Sequence, residues 1–211
     1  MKTFVVHPQD QTTTFLQSLY LDLPDKTVIT GGITKYQLRK EICLHDRIIM
    51  CGHGSLSGLF SVGKFPHSYP YIIDDTMVST LKHKTNALYI WCNDDVFVRR
   101  HSLNGFHTGM FISQMSECVC FGVKCTEEEI NESNNGFAEI VARYINEPPI
   151  VFYRNVLVEY GRLAETNPVA RYNHSRLYLN RFEPVMFADM VPRFRSPPSP
   201  KIYTSGSKKW D

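Results

Sequence analysis

The sequence predicts an α/β fold, a three-layer sandwich with a mostly parallel sheet of about five strands. Three observations carry the prediction. Short apolar runs of strand length recur at residues 3–6, 26–30, 46–51 and 87–91. The segments between the first three carry capping residues followed by apolar positions at helical spacing, the alternation that builds parallel sheets through right-handed crossovers. Two of the runs stop abruptly at a reactive side chain, His53 in RIIMCGHGSLS and Cys92 in NALYIWCNDD. In an open parallel sheet that is the carboxyl edge, where ligands bind.

The first run, 3–6, ends at His7-Pro8. Asp10 and Thr12 to Thr14 then offer caps for a helix with Phe15, Leu16, Leu19 and Tyr20 on one face. The second, 26–30, ends at Gly31-Gly32, and Thr34 with Gln37 has capping-box spacing for a helix carrying Leu38 and Ile42. The third, 46–51, delivers His53 between Gly52 and Gly54. Beyond it the period breaks: 58–63 and 71–73 read as short extended pieces around Pro66 and Pro70, a loop or hairpin overhanging the site. Asp74 or Asp75 caps a helix through Leu81, and 87–91 is the fourth strand.

Residues 105–117 have helical spacing at Phe106, Met110, Phe111 and Met115, and 118–123 reads as a fifth strand. Thr126 with Glu129 opens a helix over 127–145, which Ser133, Asn134, Asn135 and Gly136 could split. A further helix, about 150–165, turns Val151, Leu157 and Tyr160 inward and ends at Asn167-Pro168. Three parts are therefore expected: an α/β core over 1–125, a helical extension packed on it over 126–191, and a basic proline- and serine-rich tail over 192–211.

Length and charge narrow the function. A chain of 211 residues can bury a substantial core as one domain. Its 23 basic and 21 acidic residues give a net charge of +2, so no global field points to nucleic acid or to a membrane surface. The apolar run at the start is too short for a signal peptide, and no segment approaches the roughly 18 apolar residues of a membrane span. A cytoplasmic location is expected. The six cysteines, Cys43, Cys51, Cys92, Cys118, Cys120 and Cys125, then read as free thiols.

A histidine and a cysteine at successive strand ends suggest thiol attack on a carbonyl. Gly54 could offer an unobstructed N–H to the developing oxyanion. The histidine precedes the cysteine by 39 positions. That order is neither that of α/β-hydrolases nor that of papain-like enzymes, but it is that of caspases. Over about residues 3–125 the sequence resembles the caspase-like superfamily of cysteine peptidases, which includes caspases, metacaspases, clostripain, gingipain and separase. Its signature is an apolar block followed by His-Gly, then a second apolar block followed by the catalytic cysteine, here RIIMCGHGS and ALYIWCND.

The resemblance implies a cysteine endopeptidase acting on a protein or peptide substrate. It makes His53 the general acid or base, Cys92 the nucleophile, and the amides of Gly54 and Cys92 the oxyanion hole. The chain departs from the caspase pattern after the cysteine, where Asn93-Asp94 follows with no glycine and Trp91 precedes it in place of a small residue. These departures favour a distant branch. They also favour the alternative of a non-catalytic module that recognises a small ligand, such as a nucleotide signal, or a protein partner.

Asp94 and Asp95 are candidates to bind a basic substrate side chain, with helix capping as the plainer reading. His7 is a candidate third polar group in the crevice. Arg99, Arg100 and His101 could hold an acidic ligand but suit a solvated surface. Cys118, Cys120 and Cys125 lack the C-x2-C spacing of zinc knuckles, so no metal and no cofactor is expected.

Overall fold

The computed structural model describes residues 1–181; residues 182–191 of the expected helical extension, and the tail from 192, lie outside the described residues. In chain order the strands are β1 (Thr3–Val6), β2 (Lys26–Ile29), β3 (Arg47–Cys51), β4 (Gly54–Ser55), β5 (Gly58–Phe60), β6 (Tyr71–Ile73), β7 (Ala87–Ile90), β8 (Gly105–His107) and β9 (Tyr178–Asn180). The helices are α1 (Lys35–Leu44), α2 (Val78–Leu81), α3 (Asp94–Arg100), α4 (Met115–Phe121), α5 (Glu127–Tyr144), α6 (Pro149–Thr166) and α7 (Pro168–His174), with 3-10 turns at Thr14–Leu19 and Asp75–Met77.

The main sheet has six strands in the order β2-β1-β3-β7-β8-β9. The first five are mutually parallel and β9 joins antiparallel to β8, so the sheet is mixed. Register explains why it is covered on both faces. Val5, Ile49, Leu88 and Phe106 are successive cross-strand partners on one face, while Phe4, Ile48 and Ala87, with Val6, Met50 and Tyr89, line the other. All are buried. The first row packs against the 3-10 turn at Thr14–Leu19 and against α5 and α6; the second packs against α1, α2 and α3. Every position of β1, β3, β7 and β8 therefore leaves water, while the outer strands β2 and β9 are only partly covered; each large buried side chain contributes about 1.5–3 kcal/mol of hydrophobic stabilisation. Among the described residues no helix is long and apolar enough to cross a membrane.

Both expected capping boxes form: Thr34 and Gln37 exchange bonds at the start of α1, and Thr126 and Glu129 do so at the start of α5. Helix α5 runs unbroken through its polar middle because Ser133 and Asn134 find partners inside while Asn135 faces solvent. Ser133 Oγ lies 2.7 Å from the Tyr160 hydroxyl, and Asn134 donates to the Ser113 carbonyl at 2.9 Å. In α6 the inward stripe is Phe152, Val156, Tyr160 and Ala164, four-residue steps that place Val151 and Leu157 at its margins.

The structure departs from expectation at 14–19, where a 3-10 turn stands in place of a helix, at β9, a strand within the segment expected to be helical, and most of all over 105–123. Residues 105–117 do not form one helix, and 118–123 is not a strand. The fifth parallel strand is β8, only three residues long, and α4 occupies 115–121. The deciding local signal is a capping box in which Gln114 and Glu117 satisfy each other's backbone N–H groups. Three buried residues are too few to show a period, so β8 was masked by the apolar positions that follow it.

The order of strands places the site. From β1 the chain moves outward to β2, then returns past β1 to β3 and continues the other way to β7 and β8. Beyond the carboxyl ends of β1 and β3 the connections part to opposite sides, leaving a crevice. The segments after β1, β3, β7 and β8 all open onto it. The hairpin β4-β5-β6, a separate three-stranded antiparallel sheet, overhangs it as expected.

Candidate functional site

Each strand delivers one part of the site. After β1 the chain turns at Asp10, whose Oδ1 accepts from the backbone N–H and the hydroxyl of Thr12 and from the N–H of Thr13. This Asx-type turn fixes the carboxylate, and its second oxygen reaches His53: Asp10 Oδ2 to His53 Nε2 is 3.0 Å. The Thr12 hydroxyl lies 2.7 Å from the same nitrogen. Burial raises the Asp10 carboxyl, but the bonds from Thr12, the neighbouring His53 and the Thr13 amide outweigh it and hold it below the ordinary carboxylate range. Ionised Asp10 accepts a proton-bearing Nε2, and that choice of tautomer leaves Nδ1 as the basic nitrogen.

Gly52 delivers His53 by turning with φ 140°, a backbone only glycine takes readily. Gly54 is needed for a different reason. A Cβ there would lie 2.2 Å from Trp91 Cδ1 and 2.6 Å from the Gly58 carbonyl. Trp91, buried and donating from Nε1 to the Ser55 carbonyl at 3.1 Å, fills that space and ties the end of β7 to the hairpin that follows His53. The bulky residue before the cysteine thus holds the two halves of the site together.

Cys92 follows β7. Asn93 next takes the left-handed conformation, φ 63° and ψ 28°, which asparagine adopts most readily after glycine. The Cys92 thiol is within 3.8 Å of the Phe111 carbonyl and 4.0 Å of Glu117 Oε1. Glu117 is fixed by accepting from Ser113 and Gln114 through its other oxygen. Burial, with the carboxylates of Glu117 and Asp94 adding to it, pushes the Cys92 thiol up to about 12, so it rests protonated at neutral pH.

His53 and Cys92 line one cleft of about 560 Å³ together with Gly54, Phe60, Tyr69, Met110 and Glu117. They also share a small, mostly apolar recess with Thr13, Phe15 and Phe111. A chain passing through the cleft would meet an apolar wall on the hairpin side and one carboxylate, Glu117, beyond the sulfur.

Two candidates for substrate contact lie elsewhere. Asp94 is fully buried, its Oδ2 accepting from the Trp91 amide and from the amide and hydroxyl of Thr108. It staples the ends of β7 and β8 and cannot reach a ligand. His7 is likewise buried beneath the cleft, between the Tyr20 hydroxyl at 2.9 Å and Thr13 Oγ1 at 3.3 Å. The short apolar strand before it dictates that burial. Asp95 stands in the first turn of α3 near Gly109. Arg99 and His101 sit at the far end of α3, engaged with Tyr178 and Asp75.

Glu117 and Asp10 were the residues the sequence reading passed over as site groups. Glu117 was legible as the fourth position of a capping box; Asp10 was legible only as a capping candidate. Among the described residues no group of three or more His, Cys, Asp or Glu side chains could hold a metal ion.

The two buried ionisable groups act oppositely on stability. Burial is the main cause for both, lowering His7 from 6.5 to about 4 and raising Asp94 from 3.8 to about 7. His7 therefore contributes stability that is present above 6.5 and lost as pH falls towards 4. Asp94 contributes stability that is present below 3.8 and lost as pH rises through about 7. The slopes oppose each other across this window. Urea unfolding of His7→Gln should thus show stability falling more steeply with rising pH than in wild type, and Asp94→Asn should show the reverse tilt, each by a few kcal/mol at most, since one pKa unit is worth about 1.4 kcal/mol. Parallel pH profiles for all three proteins would contradict the assignment.

The chain matches no protein-family model and no curated protein.

Proposed function

We propose that the protein is a caspase-like cysteine hydrolase, an endopeptidase of a distant branch. The observation that carries this reading is the anchoring of His53 Nε2 by Asp10 and Thr12 at a cleft it shares with Cys92. His101 also meets a carboxylate, Asp75, but away from any thiol; the His53 pair differs in opening onto a cleft that holds one, where a fixed tautomer serves a base. The parallel strands leading to both residues, the antiparallel last strand and the overhanging hairpin are consistent with the caspase-like fold.

The chemistry follows from the groups present. On substrate binding, Nδ1 of His53 takes the proton of the Cys92 thiol as sulfur adds to the peptide carbonyl carbon. The amides of Gly54 and Cys92 hold the oxyanion. The tetrahedral species collapses as the imidazolium returns its proton to the leaving amine, and a thioester remains on Cys92. Water, deprotonated by the same nitrogen, hydrolyses the thioester and releases the acid. Ionised Asp10 stabilises the transient imidazolium.

Incubation with a complex peptide library tests the reading. Cleavage should occur after a restricted set of residues and be absent with Cys92→Ala; a library left intact by the wild type would sink it. The raised thiol favours one other reading, a non-catalytic module that binds a small ligand, such as a nucleotide signal, or a protein partner in the same cleft. In that case Cys92→Ala binds as tightly as the wild type.

A further inference from the structure

Helix α4 ends in a turn that sends the chain straight back along itself. Gly122 takes the left-handed conformation, φ 67°; its N–H donates to the Val119 carbonyl and the N–H of Val123 donates to the Cys118 carbonyl at 2.9 Å. This is the paired bonding of a Schellman stop, which reverses the chain and returns the residues after it to the last turns of the helix. Val123 and Cys125 accordingly pack on a small cluster of Ile112, Cys118, Ile130 and Val169. The two sulfurs, Cys118 Sγ and Cys125 Sγ, come to 2.7 Å although both are free thiols. Cys118 is buried and Cys125 half-buried, so one partner is reachable from solvent. Cys120, two residues on from Cys118, is exposed on another side of the helix.

We infer that Cys118 and Cys125 are a redox-responsive pair that closes to a disulfide and clips α4 to the start of α5. The sulfurs need only a small approach to the roughly 2.05 Å of an S–S bond, and the reversal of the chain after Gly122 already supplies the geometry. The reaction is thiol–disulfide exchange with a small-molecule disulfide. The Cys125 thiolate attacks one sulfur of that disulfide, forming a mixed disulfide and expelling one small thiolate. Cys118, having lost its proton to solvent, attacks the Cys125 sulfur and expels the second. The protein thiols are oxidised by two electrons, and two molecules of small thiol leave.

The clip sits next to the site, because Glu117 adjoins Cys118 and faces the Cys92 thiol. The inference does not depend on Cys92 being a nucleophile.

The test uses the full chain equilibrated in glutathione buffers from fully reduced to strongly oxidised, quenched in acid, alkylated and digested with trypsin. Cleavage after Lys124 separates the two cysteines. Oxidation should therefore join the peptide that ends at Lys124 to the one that begins at Cys125, and fragmentation should put the link on Cys118. The link should persist in Cys120→Ser, vanish in Cys125→Ser, and reverse on return to reduced glutathione. A link to Cys120, a glutathione adduct on Cys125 without a link, or no change in strongly oxidised buffer would overturn the inference. Far-ultraviolet circular dichroism of Cys125→Ser checks that the loss is not unfolding.

Discussion

Cys92→Ala should abolish peptide cleavage, lowering kcat by roughly 10⁴–10⁶, while leaving the fold intact. The large effect follows from the position of the sulfur. It is the only part of the side chain able to form a thioester, and it projects from the end of β7 into a cleft where no other thiol lines the wall. The small structural effect follows from what is removed. One half-buried sulfur is lost, worth at most the roughly 0.8 kcal/mol of a buried methylene, and with it two long contacts to Phe111 and Glu117. Cleavage of a quenched peptide taken from the library screen, measured beside a thermal melt, separates the two effects. Full activity in Cys92→Ala would mean that the hydrolysis belongs to another site.

Asp10→Ala should lower kcat by about 10²–10⁴, the range that acid–base catalysis usually supplies, with KM little changed. The carboxylate holds His53 and is not part of the cleft wall that Cys92 shares, so substrate binding is untouched while the basic nitrogen loses its fixed tautomer. The alanine variant also loses the turn in which Oδ1 accepts from Thr12 and Thr13, at about 1 kcal/mol. Asp10→Asn separates the roles, since an amide oxygen can keep the turn but its NH2 cannot accept from Nε2. Activity that falls in both variants, with only the alanine variant destabilised, is the expected pattern. Unchanged kcat in Asp10→Asn would remove Asp10 from the mechanism.

The main sheet was readable because its buried strands are short apolar runs with glycine or a polar turn at each end. His53 and Cys92 were readable because each ends such a run. The capping boxes at Thr34 and Thr126 were readable because their bonds span only three residues. What stayed hidden depends on distant contacts or very short elements. Strands β8 and β9 have three residues each, and β9 is an edge strand placed by its pairing with β8. Asp10 meets His53, 43 positions further along the chain, only because β1 and β3 are neighbours. Asp94 carries the opposite lesson: a charged residue just after a candidate nucleophile looks like a substrate contact. Its burial follows from the two strand ends whose N–H groups it satisfies.

The structure also sharpens what reactivity to expect. A half-buried, protonated Cys92 should react slowly with a simple alkylating agent at neutral pH, because nothing drives proton transfer to His53 until a carbonyl occupies the cleft. A substrate-like electrophile supplies that carbonyl. The most direct measurement is therefore mass spectrometry of the protein after exposure to a set of peptidyl acyloxymethyl ketones, for the wild type and for His53→Ala. The account predicts a covalent adduct on Cys92 in the wild type, formed far faster than with iodoacetamide and lost in the variant. No Cys92 adduct with any member of the set, or an adduct formed equally well without His53, would contradict it.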